Sequence, residues 1–210
     1  SNLLKTQGHE LTGVILGKSK RREIPEFFSR EILAPIHLVE SPNFACDNDE
    51  KKILIGKTIR QNVAKFGTFW KSLMQIHEIV KAEEPDIILN FYDLLGGIYN
   101  GIFRPKAAHW VIGHQYLIYH PEFNYAANKG LNKFLFRLNT RMTAIGSSEK
   151  LALSFYELES TKDITVVPPL LREDLKKLTP TSGDFFLTYI VNCGYGKEIL
   201  EFARANPHLR

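Results

Sequence analysis

Cysteine is scarce: Cys46 and Cys193 are the only two, and their spacing fits neither a metal site nor a disulfide framework. A reducing compartment is expected. No apolar run approaches the roughly 20 residues needed to span a bilayer, and no signal peptide is visible. The expectation is a cytoplasmic protein, with peripheral contact to the inner membrane left open. Histidine, cysteine and carboxylates nowhere cluster as metal ligands; Asp47, Asn48, Asp49 and Glu50 read as a solvated loop and helix cap. Three nucleotide and hydrolase signatures are absent. A dinucleotide fingerprint starting at Gly194 needs glycine at 199, where Ile199 stands, and the Gly196-Lys197 pair is followed by Glu198 instead of the Ser or Thr of a phosphate loop. No G-x-S-x-G elbow occurs, which argues against an α/β-hydrolase. Excess charge is small as well, +4 with a pI near 9.0. The one basic cluster, Lys18, Lys20, Arg21 and Arg22, lacks aromatic neighbours and reads as a solvated rim, so no nucleic-acid partner is expected.

What the chain does have is apolar patterning, with 44% hydrophobic residues over 210 positions, enough for one sizeable core or a domain and part of another. Residues 85–121 are the most informative stretch. Ile87-Ile88-Leu89 and His109-Trp110-Val111-Ile112 have the length and β-branched content of buried strands, and residues 94–103 between them suit a helix. A strand-helix-strand unit implies adjacent parallel strands. Their carboxyl ends carry Asn90-Phe91-Tyr92-Asp93 and Gly113-His114-Gln115-Tyr116, and ligands of open parallel sheets sit on that rim.

Elsewhere, residues 1–10 read as the last turns of a helix stopped by Gly8, with a strand expected upstream. Residues 11–16 read as a buried strand, 24–32 as a helix begun near Pro25, and 36–39 as the next strand. Ile55, Ile59, Val63, Phe66, Trp70, Leu73, Ile76 and Val80 recur at helical spacing and predict one long core-facing stripe, with Gly56 and Gly67 as points of bending or breakage. His77 lies off that stripe. Residues 123–139 predict a helix with Leu131, Phe134, Leu135 and Leu138 on one face and a solvated set of Lys129, Lys133, Arg137 and Arg141. Residues 143–146 then read as a short strand, 147–149 as the start of a helix, and 164–167 as a strand broken by Pro168 and Pro169. Residues 168–184 read as a linker. After it, residues 185–192 predict a strand, Cys193-Gly194-Tyr195-Gly196 a turn, and 197–205 a helix whose first amides can face phosphate oxygens.

The order of these phrases resembles GT-B glycosyltransferases, the two-Rossmann-domain enzymes that move a sugar from a nucleotide donor, and a bacterial subset of them in particular. The likeness is carried by TQGHELTGVILG (residues 6–17), PDIILNFYD (85–93), GHQY (113–116), TAIGSS (143–148), VVPPLLR (166–172) and FFLTYIVNCGYGKEILEFARANPHLR (185–210). It implies an α/β fold: a Rossmann-like parallel sheet with helices on both faces over residues 1–167, a linker over 168–184, and the first βα unit of a second Rossmann-like domain over 185–210. It further implies that the glycine-rich loop after the first strand, which carries the catalytic histidine in many relatives, precedes Ser1, and that the main donor-binding residues follow Arg210. Such a chain is expected to be a partial enzyme, inactive alone.

Within that resemblance, His114 is the candidate general base, because an imidazole near its ordinary pKa of about 6.5 suits deprotonation of an acceptor hydroxyl. Asp93 is the candidate to orient it or to bind sugar hydroxyls, with helix capping as its structural reading; His120 is a weaker neighbour on the same loop. Asn90, Tyr92, Gln115 and Tyr116 are candidate acceptor contacts, and Gly194, Tyr195 and Gly196 candidate donor-phosphate contacts. The implied partners are a nucleotide sugar, as substrate and not cofactor, and an acceptor; no obligatory metal is implied. A sugar-nucleotide epimerase on the same scaffold and a non-catalytic sugar or nucleotide module remain alternatives.

Overall fold

The structure is a computed structural model that describes residues 2–18, 24–42, 55–127, 130–171, 173–189 and 193–208. The chain divides into two compact units, residues 1–42 with 66–169 and residues 43–65 with 170–210. The long helical signal is shared between them. It breaks at Lys65 into α3 (Ile55–Ala64) and α4 (Phe66–Glu83), beside one of the two glycines expected to interrupt it. Along α4 the predicted stripe holds in part: Phe66 is 68% exposed and Trp70 43%, whereas Leu73 and Ile76 are buried, together with Phe69 and Ser72.

The first unit opens with α1 (Asn2–Thr6), which ends where Gly8 takes a left-handed φ of +81°. Strand β1 (Val14–Lys18), α2 (Glu26–Glu31) behind Pro25, and β2 (Ile36–Glu40) follow, and β1 and β2 pair in parallel with Val14 opposite Ile36. The expected strand over residues 11–16 is thus shifted toward Lys18 and is half-buried, not fully buried. Of the basic cluster, Lys18 lies 3.9 Å from Glu40, and residues 20–22 are outside the described residues, as are Asp47 to Glu50 of the expected solvated loop.

Next come β3 (Ile87–Asn90), α5 (Leu94–Phe103) and β4 (Ala108–Ile112), the strand-helix-strand unit as expected, with β3 and β4 parallel and Asn90 opposite Val111. A six-residue 3-10 helix, His114–Tyr119, leads to α6 (Gly130–Thr143), then β5 (Glu149–Leu153) and β6 (Thr165–Val167). The four strands form one parallel sheet in the order β3-β4-β5-β6, beside the two-stranded β1-β2 sheet. The whole is α/β with parallel sheets flanked by helices. One apolar cluster joins Val39 of β2 to Phe69, Leu73 and Ile76 of α4 and to Leu95 and Tyr99 of α5, with Ile15 and Ile88 against it; the other gathers Val111, Tyr116, Ala144, Ala152 and Ile164. Each fully buried large side chain here contributes about 1.5–3 kcal/mol relative to exposure.

Two expectations around residue 145 fail together. Residues 143–146 are the end of α6 and a turn, not a strand, and residues 147–149 lead into β5, not a helix. Thr140 and Thr143 have strand-like side chains, but their hydroxyls donate back to the Phe136 and Thr140 carbonyls at 2.8 Å each, which satisfies them inside α6. The chain then reverses at Gly146, φ +66°, and residues 149–153 gain ladder partners on both sides from β4 and β6.

His109 of β4 is 2% exposed, and neither ring nitrogen has a hydrogen bond of good geometry. Burial pushes its pKa below 6.5, opposed more weakly by the backbone of Ile145. The unfolded chain therefore takes up the proton first. Stability is retained above about pH 6.5 and declines as pH falls below it toward the folded-state pKa. The thermal midpoint should drop between about pH 7 and about pH 5, and His109→Leu should flatten that slope; an unchanged slope in the variant would remove His109 as its source.

In the second unit, α7 (Glu173–Lys176) is a single turn within the expected linker, and α8 (Gly196–Ala205) follows a short 3-10 turn, Cys193–Tyr195. The strand expected over residues 185–192 is absent over 185–189, where Phe185, Phe186, Leu187 and Tyr189 are all more than 60% exposed; residues 190–192 lie outside the described residues. A strand needs a ladder partner, and residues 185–189 have none among the described residues.

Candidate active site

The carboxyl ends of β3 and β4 come together as the parallel pairing requires. Gly113 continues β4 by one residue: its amide donates to the Leu151 carbonyl at 3.0 Å, and its own carbonyl accepts from the Leu153 amide. A Cβ added at Gly113 would lie 2.7 Å from the Gln115 side-chain oxygen and 3.5 Å from Tyr92 Cβ. The two loops are therefore in contact across this glycine.

Most of the candidate residues on the rim hold the rim itself. Asn90 is 4% exposed; its Nδ2 donates to the Asp93 and Thr143 carbonyls at 3.0 and 3.1 Å, and its Oδ1 accepts from the Asp93 amide at 2.7 Å. Asp93 caps α5, with Oδ1 accepting from the Gly96 amide at 3.0 Å and Oδ2 from the Ser41 hydroxyl at 3.2 Å. Both carboxylate oxygens are thus engaged with groups other than His114, and the capping reading of Asp93 is the one its contacts support.

Tyr92 sits at φ +59°, a left-handed conformation that a bulky residue rarely adopts. Its ring packs edge-on to Tyr116 at 5.6 Å, and its hydroxyl bonds the Thr140 hydroxyl at 2.9 Å and accepts from Asn139 Nδ2 at 3.1 Å. Tyr116 is fully buried, its hydroxyl 2.9 Å from that of Thr143, and desolvation pushes its pKa up to about 12. Its phenol faces the core, so an acceptor contact gives way to a packing role. His120 is also structural. It is 5% exposed, with Nδ1 accepting from the Glu122 amide and Nε2 therefore donating to the Glu159 carbonyl at 3.0 Å.

Of the rim candidates, His114 and Gln115 have side chains without a hydrogen bond among the described residues. His114 is exposed at the start of the 3-10 helix, and its ring makes no hydrogen bond among the described residues; Gln115 is half-buried, folded back toward Gly113. An exposed imidazole at the end of a central parallel strand is placed to take a proton from a bound hydroxyl.

Sequence reasoning missed the supports behind this rim. Asn139, Thr140 and Thr143 of α6 bond Tyr92, Tyr116 and Asn90, and α6 can come that close because Gly97 of α5 lies against its backbone: a Cβ there would meet the Met142 carbonyl oxygen and lie 2.7 Å from Thr143 Cα. Glycines four apart on one helix, Gly97 and Gly101, were the available signal.

In the second unit, Gly194 and Gly196 are half-buried and Tyr195 is 43% exposed. Tyr195 is the N-cap of α8 with no side-chain capping bond, and a Cβ at Gly196 would meet nothing within 4 Å. A helix start is where backbone amides can meet an anion. Among the described residues no group of three or more His, Cys, Asp or Glu gathers as metal ligands, and no helix is long and apolar enough to cross a membrane.

Comparison with known proteins gives one family: a model described as glycosyl transferase family 1 matches residues 2–206. No curated protein and no solved structure matches significantly.

Proposed function

Because the chain belongs to glycosyl transferase family 1, we propose that it works in the transfer of a glycosyl group from a nucleotide sugar to an acceptor hydroxyl bound at the β3-β4 rim. The observation that supports this most is the exposed imidazole of His114 on that rim, with no hydrogen bond among the described residues. In the step proposed, the acceptor oxygen forms a bond to the anomeric carbon. The bond from that carbon to the diphosphate oxygen breaks, and the nucleoside diphosphate leaves with the electron pair. The hydroxyl proton passes to a His114 ring nitrogen. Gln115 is the acceptor contact with a side chain still available, and the amides at Gly194, Tyr195 and Gly196 are proposed to face the diphosphate. Asn90, Tyr92 and Tyr116 shape the rim instead of touching the acceptor.

A thermal shift against UDP-, GDP- and TDP-sugars tests this reading, followed by product analysis. One nucleotide class should stabilise the chain, by about 2.7 kcal/mol when its concentration is about 100 times Kd. Turnover that requires an added acceptor would support transfer. Conversion of the sugar with no acceptor would assign an epimerase, stabilisation without turnover would assign a binding module, and no stabilisation by any donor would overturn the proposal.

A further inference from the structure

The fourteen residues of α6 present three faces. At about 100° per residue, Thr140 and Thr143 share the buried side, and Leu131, Phe134 and Leu138 fall within an arc of about 60° directly opposite. That arc is 68%, 62% and 44% exposed at the three positions. Lys133, Arg137 and Arg141 recur every fourth residue and run from beside Thr140 to the edge of this arc, where Arg141 lies about 20° from Phe134; all three are exposed and without an ion pair among the described residues. Arg137 lies over the Tyr119 ring at 5.9 Å, which leaves its charge uncancelled. The sequence contains no acidic residue between Glu122 and Glu149.

An apolar arc bordered on one side by a purely cationic row, on a helix held down by the opposite face, matches the chemistry of an anionic bilayer surface. Leucine and phenylalanine enter the acyl boundary, and the cations meet the headgroup phosphates. A protein partner would need an acidic groove of the same outline, and a second copy of this helix would bring like charges together. We infer that α6 docks the chain onto a membrane surface rich in anionic phospholipid through Leu131, Phe134 and Leu138, with Lys133, Arg137 and Arg141 supplying the charge preference. The inference stands apart from the transfer chemistry. It also gives the Asn139, Thr140 and Thr143 side of the same helix, which holds the rim, a fixed relation to the bilayer.

Vesicle flotation tests it, with vesicles of phosphatidylcholine alone and with one third phosphatidylglycerol, in low and high salt. The chain should bind the anionic vesicles and be released by salt. Lys133→Gln with Arg141→Gln should lower partitioning roughly 30-fold, at about 1 kcal/mol per cation, and Phe134→Ser should lower it roughly tenfold or more. Phe202→Ser on α8, also exposed, should change nothing. Absence of binding to anionic vesicles, or binding indifferent to Phe134→Ser, would overturn the inference. A dimer in gel filtration that Phe134→Ser dissolves, with no vesicle binding, would assign the face to a second copy instead.

Discussion

His114→Ala is expected to lower kcat by about 10²-fold or more on whichever nucleotide sugar and acceptor the chain turns over, the loss typical of a positioned general base. That corresponds to about 2.7 kcal/mol of transition-state stabilisation. Because the imidazole is exposed and bonds nothing among the described residues, the thermal midpoint should stay where it is. The pair of measurements separates chemistry from folding: a rate loss with no change in stability places His114 at the reaction, whereas a full rate in the variant would take it out of the mechanism. Asp93 is a poor place to seek the same effect. Its oxygens hold the Gly96 amide and the Ser41 hydroxyl, so removing them perturbs the start of α5 before it perturbs any substrate.

Gly97→Ala is expected to be the most destabilising single-methyl change in the first unit. The added Cβ would meet backbone of Met142 and Thr143, and backbone in a helix cannot rotate away as a side chain can. Overpacking costs about 1–3 kcal/mol where side chains yield, so about 3 kcal/mol or more is expected here, a fall of roughly 10 °C in Tm for a chain of this size. Gly67→Ala is the matched control. It lies in α4 with nothing within 4 Å, and should be neutral or slightly stabilising. Equal midpoints for Gly97→Ala and Gly67→Ala would show that α5 and α6 are not in the close contact described. The expected damage extends to the rim, since α6 carries the hydroxyls that anchor Tyr92 and Tyr116.

The rim itself was legible in the sequence, and its division of labour was not. Strand length, β-branched content and the glycine after Ile112 were enough to place β3, α5 and β4 and to bring Asn90 to Asp93 beside Gly113 to Tyr116. Which of those polar groups would be spent on the protein depends on residues some 50 positions away. Asn90 bonds Thr143, Tyr92 bonds Asn139 and Thr140, and Asp93 bonds Ser41. No local pattern reports such partners.

Helix faces were misread for a related reason. Period alone selects an apolar stripe, and on α6 three of its four members, Leu131, Phe134 and Leu138, are exposed while Leu135 is half-buried; α6 is held by two threonines that satisfy their own hydroxyls within the helix. On α4 the stripe holds at Leu73 and Ile76 but not at Phe66 and Trp70, and Phe69 is buried with the first two.

By itself the sequence determined the strand-helix-strand unit, the parallel pairing that a helical crossover imposes, the strand ends where a ligand would sit and, through the order of its motifs, the likeness to glycosyltransferases. These depend on short-range patterning, which a single chain carries in full. Tertiary structure alone decided which rim side chains remain free, how closely α5 approaches α6, and which face of α6 is left to the surroundings. Each of those is set by hydrogen bonds and packing between segments distant in the chain, where an unmade partner costs more than any local preference supplies.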